Sequence, residues 1–471
     1  MKSITLKLDL YEYSQVEKTT KILADKLGLQ KDAIEQDLSR LTGLLETYRD
    51  RKINQRQSPA THKIEVPPAT ATQCIAFLKR DNLIEEFNQL IGKAGITGEE
   101  TNRILLFVIA SSYKMPDTLH ALIQGSSGSG KTRLLKIISD LMPAEDVKRY
   151  TRVTDNSFYN QDEYFFVNKL VCFEDLDGLK EDAQLAVREL QSNEILRTST
   201  SLKDKNGSIT GGERIVRGPI ASLSCTTKGE TYEDNISRSF LIAVDESREQ
   251  TLKVIDYQNR KASGKIDKAQ EKKVARFVQN CIRLLRPYEV INPYATKLKL
   301  PEEAHKIRRL NELYQSFVRQ ITLLNQYQRK RDKQGRLITE KADLQTACDI
   351  LFESIVLKVD ELDGSLRQFF ERLKTYLIKK SKRINKSQSD TDFTQREIRQ
   401  ALHISKAQCS RNIGRLRAME YITSRYANNL RRVTYKIDYW DDYAMIRAKI
   451  KADLTKQISE LKAEHSDVPT T

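Results

Sequence analysis

At 471 residues the chain is expected to form two to four domains, and its 80 Lys and Arg against 64 Asp and Glu give a net charge of +16 that points to an anionic polymer or surface as partner. The six cysteines form no C-x-x-C pair, so reduced thiols and no structural zinc are expected. Neither a signal-peptide pattern nor an apolar run of 18 residues occurs, so we expect a cytoplasmic protein without a membrane span.

The first 50 or so residues show an amphipathic helical pattern, in which leucines recur at helical spacing among charges. Residues 23–41, with a turn at Gly28, have the spacing of a small helix-turn-helix. We favour a packing or oligomer-contact role because the segment carries little excess positive charge. Residues 51–72 are polar and proline-broken, which predicts a linker. Residues 1–71 are therefore assigned to an N-terminal helical region and linker.

The next feature is a phosphate-binding pattern, G-x-x-x-x-G-K-[ST], which is matched at every position between an apolar run and an amphipathic helix. Backbone N–H groups of such a loop point at phosphates, Lys131 can reach the β and γ oxygens, and the Thr132 hydroxyl can hold Mg²⁺. A nucleoside triphosphate is the implied ligand. The predicted nucleotide-binding residues are Gly125, Ser126, Ser127, Gly128, Ser129, Gly130, Lys131 and Thr132.

A second apolar run, residues 170–173, ends in acids and is typical of a buried parallel strand. Carboxylates at that end of a strand can bind Mg²⁺ and polarise the attacking water. The usual order is Asp then Glu, and here it is inverted. Which of Glu174, Asp175 and Asp177 has which task therefore stays open, and Glu174 and Asp175 are predicted as catalytic and metal-binding residues.

Residues 196–215 alternate and break at Asp204-Lys205-Asn206-Gly207, which predicts a β-hairpin with Lys203 and Lys205 flanking its tip. The hairpin is followed by a third apolar run, residues 220–225.

Thr226 and Thr227 follow this third run, where a hydroxyl can orient water against the γ-phosphate. Arg238 precedes a further strand pattern, and its position suits an arginine finger that completes the site of a neighbouring subunit. A salt-bridged structural arginine is the alternative. With Lys131 and the two acids, these three residues make up the predicted catalytic set.

The order GSSGSGKT, LVCFED, hairpin, SLSCTT, NISRSF resembles that of AAA+ ATPases, and the hairpin resembles the pore hairpin of superfamily III viral helicases and minichromosome-maintenance helicases. Residues 80–437 resemble more closely the ATPase portion of primase-helicase-like replication proteins of bacterial mobile elements and phages, also through GITGEETN, LQS, DESREQT and INPY. The resemblance implies an AAA+ fold, ATP, Mg²⁺, a homo-oligomeric ring such as a hexamer, and DNA. Primer synthesis is not implied, because a zinc-finger cysteine cluster is missing and only about a hundred residues precede the core. A separate primase or other replication protein is a candidate partner.

From residue 252 to about 373 the pattern is helical, which predicts an all-α lid and a helical connector. The charged run at residues 327–336 is predicted to be a solvated loop rather than a phosphate contact.

Residues 379–437 carry fifteen lysines and arginines against four acids, so most of the excess positive charge lies there. A helix at 394–402, a short turn, a second helix at 405–420 and two strands resemble a winged helix. The second helix has an apolar side opposite its polar one, as a helix entering a major groove requires. Protein binding is the alternative, and the charge favours DNA. The predicted DNA-contacting residues are Lys203, Lys205, Lys406, Gln408, Arg411, Arg415, Arg425, Arg431 and Arg432.

We therefore predict an α/β protein with a P-loop AAA+ core at 72–250, a lid and connector at 251–375, a winged-helix DNA-binding domain at 376–440 and a charged helical tail at 441–471. The predicted function is an ATP-dependent DNA helicase or translocase acting in replication of a mobile genetic element. The alternative is a DNA-bound switch or loader that recruits replication or transposition proteins without unwinding. The basic hairpin tip favours the helicase, and the intact phosphate loop argues against a nucleotide-independent DNA scaffold.

Overall fold

The computed structural model describes residues 8, 10, 13–57, 64–154, 156–203, 209–227, 238–302, 307–427 and 432–461. The chain divides into two compact units, one of residues 1–64 with 162–165 and one of residues 65–161 with 166–471.

The first unit contains a helical hairpin of α1 (Tyr13–Leu27) and α2 (Lys31–Gln57). The predicted turn at Gly28 separates the two helices. Because α2 continues to Gln57, the prediction that a linker starts at residue 51 is wrong. Several leucines of this hairpin are exposed to solvent: Leu27, Leu29, Leu41, Leu44 and Leu45.

The second unit is built around a five-stranded parallel sheet. The strands up to residue 243 are, in chain order, β1 (His120–Gln124), β2 (Val147–Tyr150), β3 (Lys169–Phe173), β4 (Ile195–Lys203), β5 (Ile209–Arg217), β6 (Ile220–Thr226) and β7 (Phe240–Ala243). The spatial order in the sheet is β2-β3-β6-β1-β7. Strands β1, β3 and β6 are buried along their whole length, which explains their continuous apolar sequences. Because β6 lies between β1 and β3, the carboxyl ends of these three strands meet at one edge.

Strands β4 and β5 form a separate antiparallel hairpin, in register from Ile195 opposite Arg217 to Lys203 opposite Ile209. The predicted hairpin is thus present. Lys205 and the predicted turn lie outside the described residues, as does the side chain of Lys203.

Helices cover the sheet and build the main hydrophobic core. Those before β7 are α3 (Pro68–Leu78), α4 (Leu83–Lys93), α5 (Glu100–Ser111), α6 (Lys131–Asp140) and α7 (Glu181–Ser192). Those that follow are α8 (Arg248–Ala262), α9 (Lys268–Leu284), α10 (Ile307–Leu324) and α11 (Lys341–Val359), with the short parallel pair β8 (Val290–Ile291) and β9 (Leu337–Ile338) between them. Helix α5 is buried from Ile104 to Ser111, and its apolar side chains belong to this core.

The charged run at residues 327–336 is not simply a solvated loop. The Arg329 side chain is 8% exposed and pairs with Asp343, which is fully buried, at 2.6 Å. Asn325 donates to the same carboxylate at 2.8 Å. A buried carboxylate needs such donors, so Arg329 has a structural role that the sequence did not reveal.

A second, smaller core lies in the C-terminal part of the chain. Its elements are α12 (Gly364–Ile384), α13 (Gln395–Leu402), α14 (Lys406–Ala418), β10 (Ile422–Ala427) and β11 (Arg432–Ile437). The predicted helices and strands of this segment are therefore present. The predicted boundary at residue 375 is wrong, because it cuts α12, whose Leu366, Phe370 and Leu377 belong to this core.

The last described helix, α15 (Tyr443–Glu460), is more than a charged tail. Its residues Ile450, Leu454 and Ile458 are buried in the main core. Ahead of it, Asp441 accepts hydrogen bonds from Arg367 at 2.5 Å and from Lys374 at 2.8 Å, both on α12. The chain therefore returns to the main core after the second one.

Candidate nucleotide-binding site

Hydrogen bonds from the Lys131 side chain hold the loop between β1 and α6 in a curled conformation. Lys131 Nζ donates to the carbonyl oxygens of Gly125 at 2.7 Å and of Ser126 at 2.6 Å. Gly128 and Gly130 have φ values of +82° and +98°, which residues other than glycine rarely adopt. The loop thus has the curvature that wraps backbone N–H groups around a phosphate.

Helix α6 begins at Lys131, so the N–H groups of its first turn have no acceptor within the helix and suit an anion. Ser129 Oγ is buried and has no hydrogen-bond partner in the described part of the chain. A Cβ at Gly125 would lie only 2.7 Å from that oxygen. A phosphate oxygen is an acceptor that would satisfy this hydroxyl, so the loop fits the triphosphate that its sequence predicts.

Burial lowers the pKa of the Lys131 ammonium, and the carboxylates of Glu246, Asp177 and Asp175 act in the opposite direction. These acids therefore lie close enough to Lys131 for their charges to stabilise its ammonium group. Asp175 and Asp177 follow β3, which β6 separates from β1.

The three acids after β3 have different surroundings. Glu174 pairs with Lys136 of α6 at 3.0 Å. Asp175 is exposed and accepts the backbone N–H of Asp177 at 3.1 Å. The Glu174 side chain is thus held by α6, whereas Asp175 faces solvent beside the loop.

Asp177 is held by the two threonines predicted to orient water. It accepts hydrogen bonds from Thr226 Oγ1 at 2.7 Å, from Thr227 N at 2.7 Å and from Thr227 Oγ1 at 2.9 Å. The structure therefore brings Thr226 and Thr227 together with an acid that lies outside the predicted catalytic set. This contact arises because β6 pairs with β3, which sequence spacing does not reveal.

These residues fit a nucleotide with Mg²⁺. Thr132 in the first turn of α6 and a carboxylate from the end of β3 would hold the ion, which in proteins usually takes one or two carboxylates plus phosphate oxygens and water. The bound ion would neutralise charge on the phosphates and orient them.

Arg238 lies at the amino ends of the parallel strands, whereas the phosphate loop lies at their carboxyl ends. It precedes β7, which runs parallel to β1 with Phe240 opposite Ala121. At about 3.3 Å per residue, Arg238 is roughly 20 Å along the strands from the loop. It lines a cavity of about 330 Å³ with His120 and Arg309. Arg238 is therefore not part of the phosphate site of its own chain.

A larger cavity of about 730 Å³ opens beside α6, between that helix and α8 and α9. Thr132 lines it next to the phosphate loop. Arg133 lies over the ring of Tyr257 at 4.8 Å and donates to the Gly95 carbonyl at 3.2 Å. Phosphates bound in the loop would place the rest of a nucleotide next to this space.

The residues predicted to contact DNA are distributed unevenly. Lys406 and Arg411 of α14 and Arg425 of β10 are exposed. Gln408 is half-buried, and Arg415 pairs with Asp363 at the start of α12. Arg431 lies outside the described residues, as does the side chain of Arg432. The exposed basic residues thus form only part of the predicted surface.

The parallel sheet, the glycine-rich loop at the start of α6 and the acids after β3 define an α/β P-loop NTPase. Residues 68–286, which include the whole five-stranded sheet, match a protein-family model described as the MTBMA_p00010 P-loop domain. The sequence matches none of the curated proteins with which it was compared. In the described part of the chain, no helix combines the length and apolar character needed to span a membrane.

Proposed function

We propose that the protein is an ATP-dependent DNA helicase or translocase that acts in replication of a mobile genetic element. The observation that carries the proposal is the meeting of three strand ends at one edge of the sheet, with the phosphate loop, Thr226 and Thr227, and the acids side by side. The replication setting comes from the sequence resemblance.

In this proposal the phosphate loop binds ATP, Lys131 contacts the β and γ oxygens, and the acids after β3 provide the Mg²⁺ ligand and the water-polarising group. Arg238, remote from its own phosphate site, reaches the site of a neighbour in a ring. The β4–β5 hairpin contacts a DNA strand, and the exposed basic residues of α14 and β10 hold duplex DNA by phosphate contacts.

A second candidate is a DNA-bound switch that uses ATP to load or recruit another protein. The half-buried Gln408 and the paired Arg415 favour it, because a helix partly covered by the rest of the protein suits regulated DNA binding. Both candidates use the same nucleotide site, and strand separation distinguishes them.

The test is strand displacement on a forked duplex with ATP and with a non-hydrolysable analogue, beside steady-state ATPase with and without single-stranded DNA. Unwinding that requires hydrolysis, and that is lost in Lys131→Ala, would support the helicase. DNA-stimulated hydrolysis without unwinding would support the switch. DNA binding with neither hydrolysis nor nucleotide dependence would contradict both.

A further inference from the structure

Glu246 lies between the phosphate loop and the basic helix α14. It follows β7, the strand next to β1, so the chain leaves the sheet beside the loop. Glu246 Oε1 accepts the Ser126 N–H at 2.5 Å. Its other oxygen, Oε2, is 3.5 Å from Gln408 Nε2, a long contact between two groups of matching polarity.

The same strand end has a second connection to the C-terminal core. Gln368 of α12 donates to the Val244 carbonyl at 3.2 Å, and Val244 N donates to the Gln124 carbonyl at 3.0 Å, just ahead of the loop. Two amide side chains of the C-terminal core therefore contact the segment that supports the phosphate loop.

Gln408 is also one of the residues predicted to contact DNA. It lies near the start of α14, the end that enters a groove in helix-turn-helix proteins. A base that bound the Gln408 amide bidentately would use its oxygen and one of its two N–H groups, and would fix the direction in which the remaining N–H faces Glu246.

We propose that Glu246 is a positioning residue that holds the first turn of the phosphate loop and couples nucleotide binding to DNA binding by α14. The inference rests on the proposed function, since it requires both ligands. Coupling of this kind is reciprocal, so duplex DNA must change nucleotide affinity by the same factor by which nucleotide changes DNA affinity.

The experiment uses the full chain and measures the dissociation constant of a fluorescent ATP analogue with and without saturating duplex DNA. We expect at least about a five-fold difference in the wild type, the lower end of typical couplings. Glu246→Ala should reduce the difference to less than about two-fold, well below typical couplings. Glu249→Ala is the matched control, because the exposed Glu249 pairs only with Lys253 among the ion pairs of the described residues.

An exchange variant tests the contact directly. Gln408→Glu places two carboxylates together and should abolish the coupling. Adding Glu246→Gln should restore it, because a glutamine there can accept from Ser126 N–H and donate to the new carboxylate. Coupling that survives Glu246→Ala, or no rescue in the double variant, would overturn the inference. A wild type that binds only one of the two ligands would instead contradict the proposed function.

Discussion

At the residue scale, the phosphate loop could be predicted because its chemistry is local. The glycines, Lys131 and Thr132 act within eight consecutive residues. The pairing of Glu174 with Lys136 and the contact of Asp177 with Thr226 could not be predicted. The first depends on how α6 packs against the sheet, and the second depends on which strands are neighbours. The inverted acid order left the roles open, and the structure now distinguishes the surroundings of the three acids.

Asp177→Asn should reduce the turnover of ATP by about 100-fold, as loss of a general base or water-orienting group does. Asparagine can still accept a hydrogen bond from Thr226, so the dissociation constant for nucleotide should stay within about two-fold. Steady-state hydrolysis and equilibrium nucleotide binding measure the two effects. The control is Asp182→Asn, which removes an exposed carboxylate from α7. Unchanged turnover in Asp177→Asn would exclude Asp177 from the chemistry.

His120 should make stability depend on pH. Burial lowers its pKa to about 4 from 6.5, so the folded state keeps the ring neutral. The ring donates from Nε2 to the Gln191 carbonyl at 3.3 Å and accepts at Nδ1 from Ser222 at 3.1 Å. A depressed pKa means that this stability is present above pH 6.5 and is lost as the pH falls towards 4.

Between pH 7 and pH 5 the loss from His120 should be about 2 kcal/mol, from the difference between the folded and unfolded pKa values. His120→Gln does not titrate, so its denaturation midpoint should fall less than that of the wild type over this range. Urea denaturation at both pH values measures the difference. Parallel pH curves for the two proteins would show that folding does not lower the pKa of His120.

At the element scale, the sequence predicted the buried strands and the C-terminal helices well. Continuous apolar runs identify β3 and β6. In the structure, α13 and α14 begin at the predicted places, where the Thr394 and Ser405 hydroxyls accept N–H groups of the first turns. Strand β2 was missed because Val147–Tyr150 is a short, partly exposed edge strand with two basic residues. Its pairing with β3 is what defines it.

The β4–β5 hairpin allows a test confined to one element. Replacing both Lys203 and Lys205 by alanine should leave hydrolysis without DNA unchanged and lower the rate of strand displacement at least about ten-fold, because cationic contacts supply most affinity for a nucleic-acid backbone. Arg197→Ala on the same hairpin is the control, since Arg197 pairs with Glu213 at 3.6 Å far from the tip. Equal displacement by the double variant and the control would remove the hairpin from strand contact.

At the scale of the whole molecule, Arg238 lies at the amino ends of the strands and the phosphate loop of the same chain lies at their carboxyl ends. A finger role for Arg238 therefore requires a second chain, and the packing of that chain cannot be predicted from one sequence.

Mixing two inactive variants tests this arrangement. Arg238→Ala and Lys131→Ala should each lack turnover. In an equal mixture, about a quarter of the interfaces in a closed ring would combine an intact phosphate loop with an intact Arg238 from the neighbour, so hydrolysis should recover to about that share. Recovery of the hydrolysis rate, per total protein, to about a quarter of the wild-type rate would support action between subunits. A mixture as inactive as its components would contradict it.

The domain boundaries were the least predictable feature of the molecule. Helix α12 contributes to the second core and also contacts the end of β7 through Gln368, so no change in composition marks a boundary at residue 375. Burial of α15 was likewise hidden, because its apolar residues are interspersed with lysines.

The docking of α15 into the main core has a practical consequence. The C-terminal core is an insertion between α11 and α15, two helices that contact each other, and both of its ends are anchored. Truncating the chain at residue 379 would therefore remove α15 from the main core and expose the apolar surface that it covers. Replacing residues 362–440 with a short loop would remove the C-terminal core and keep both α11 and α15.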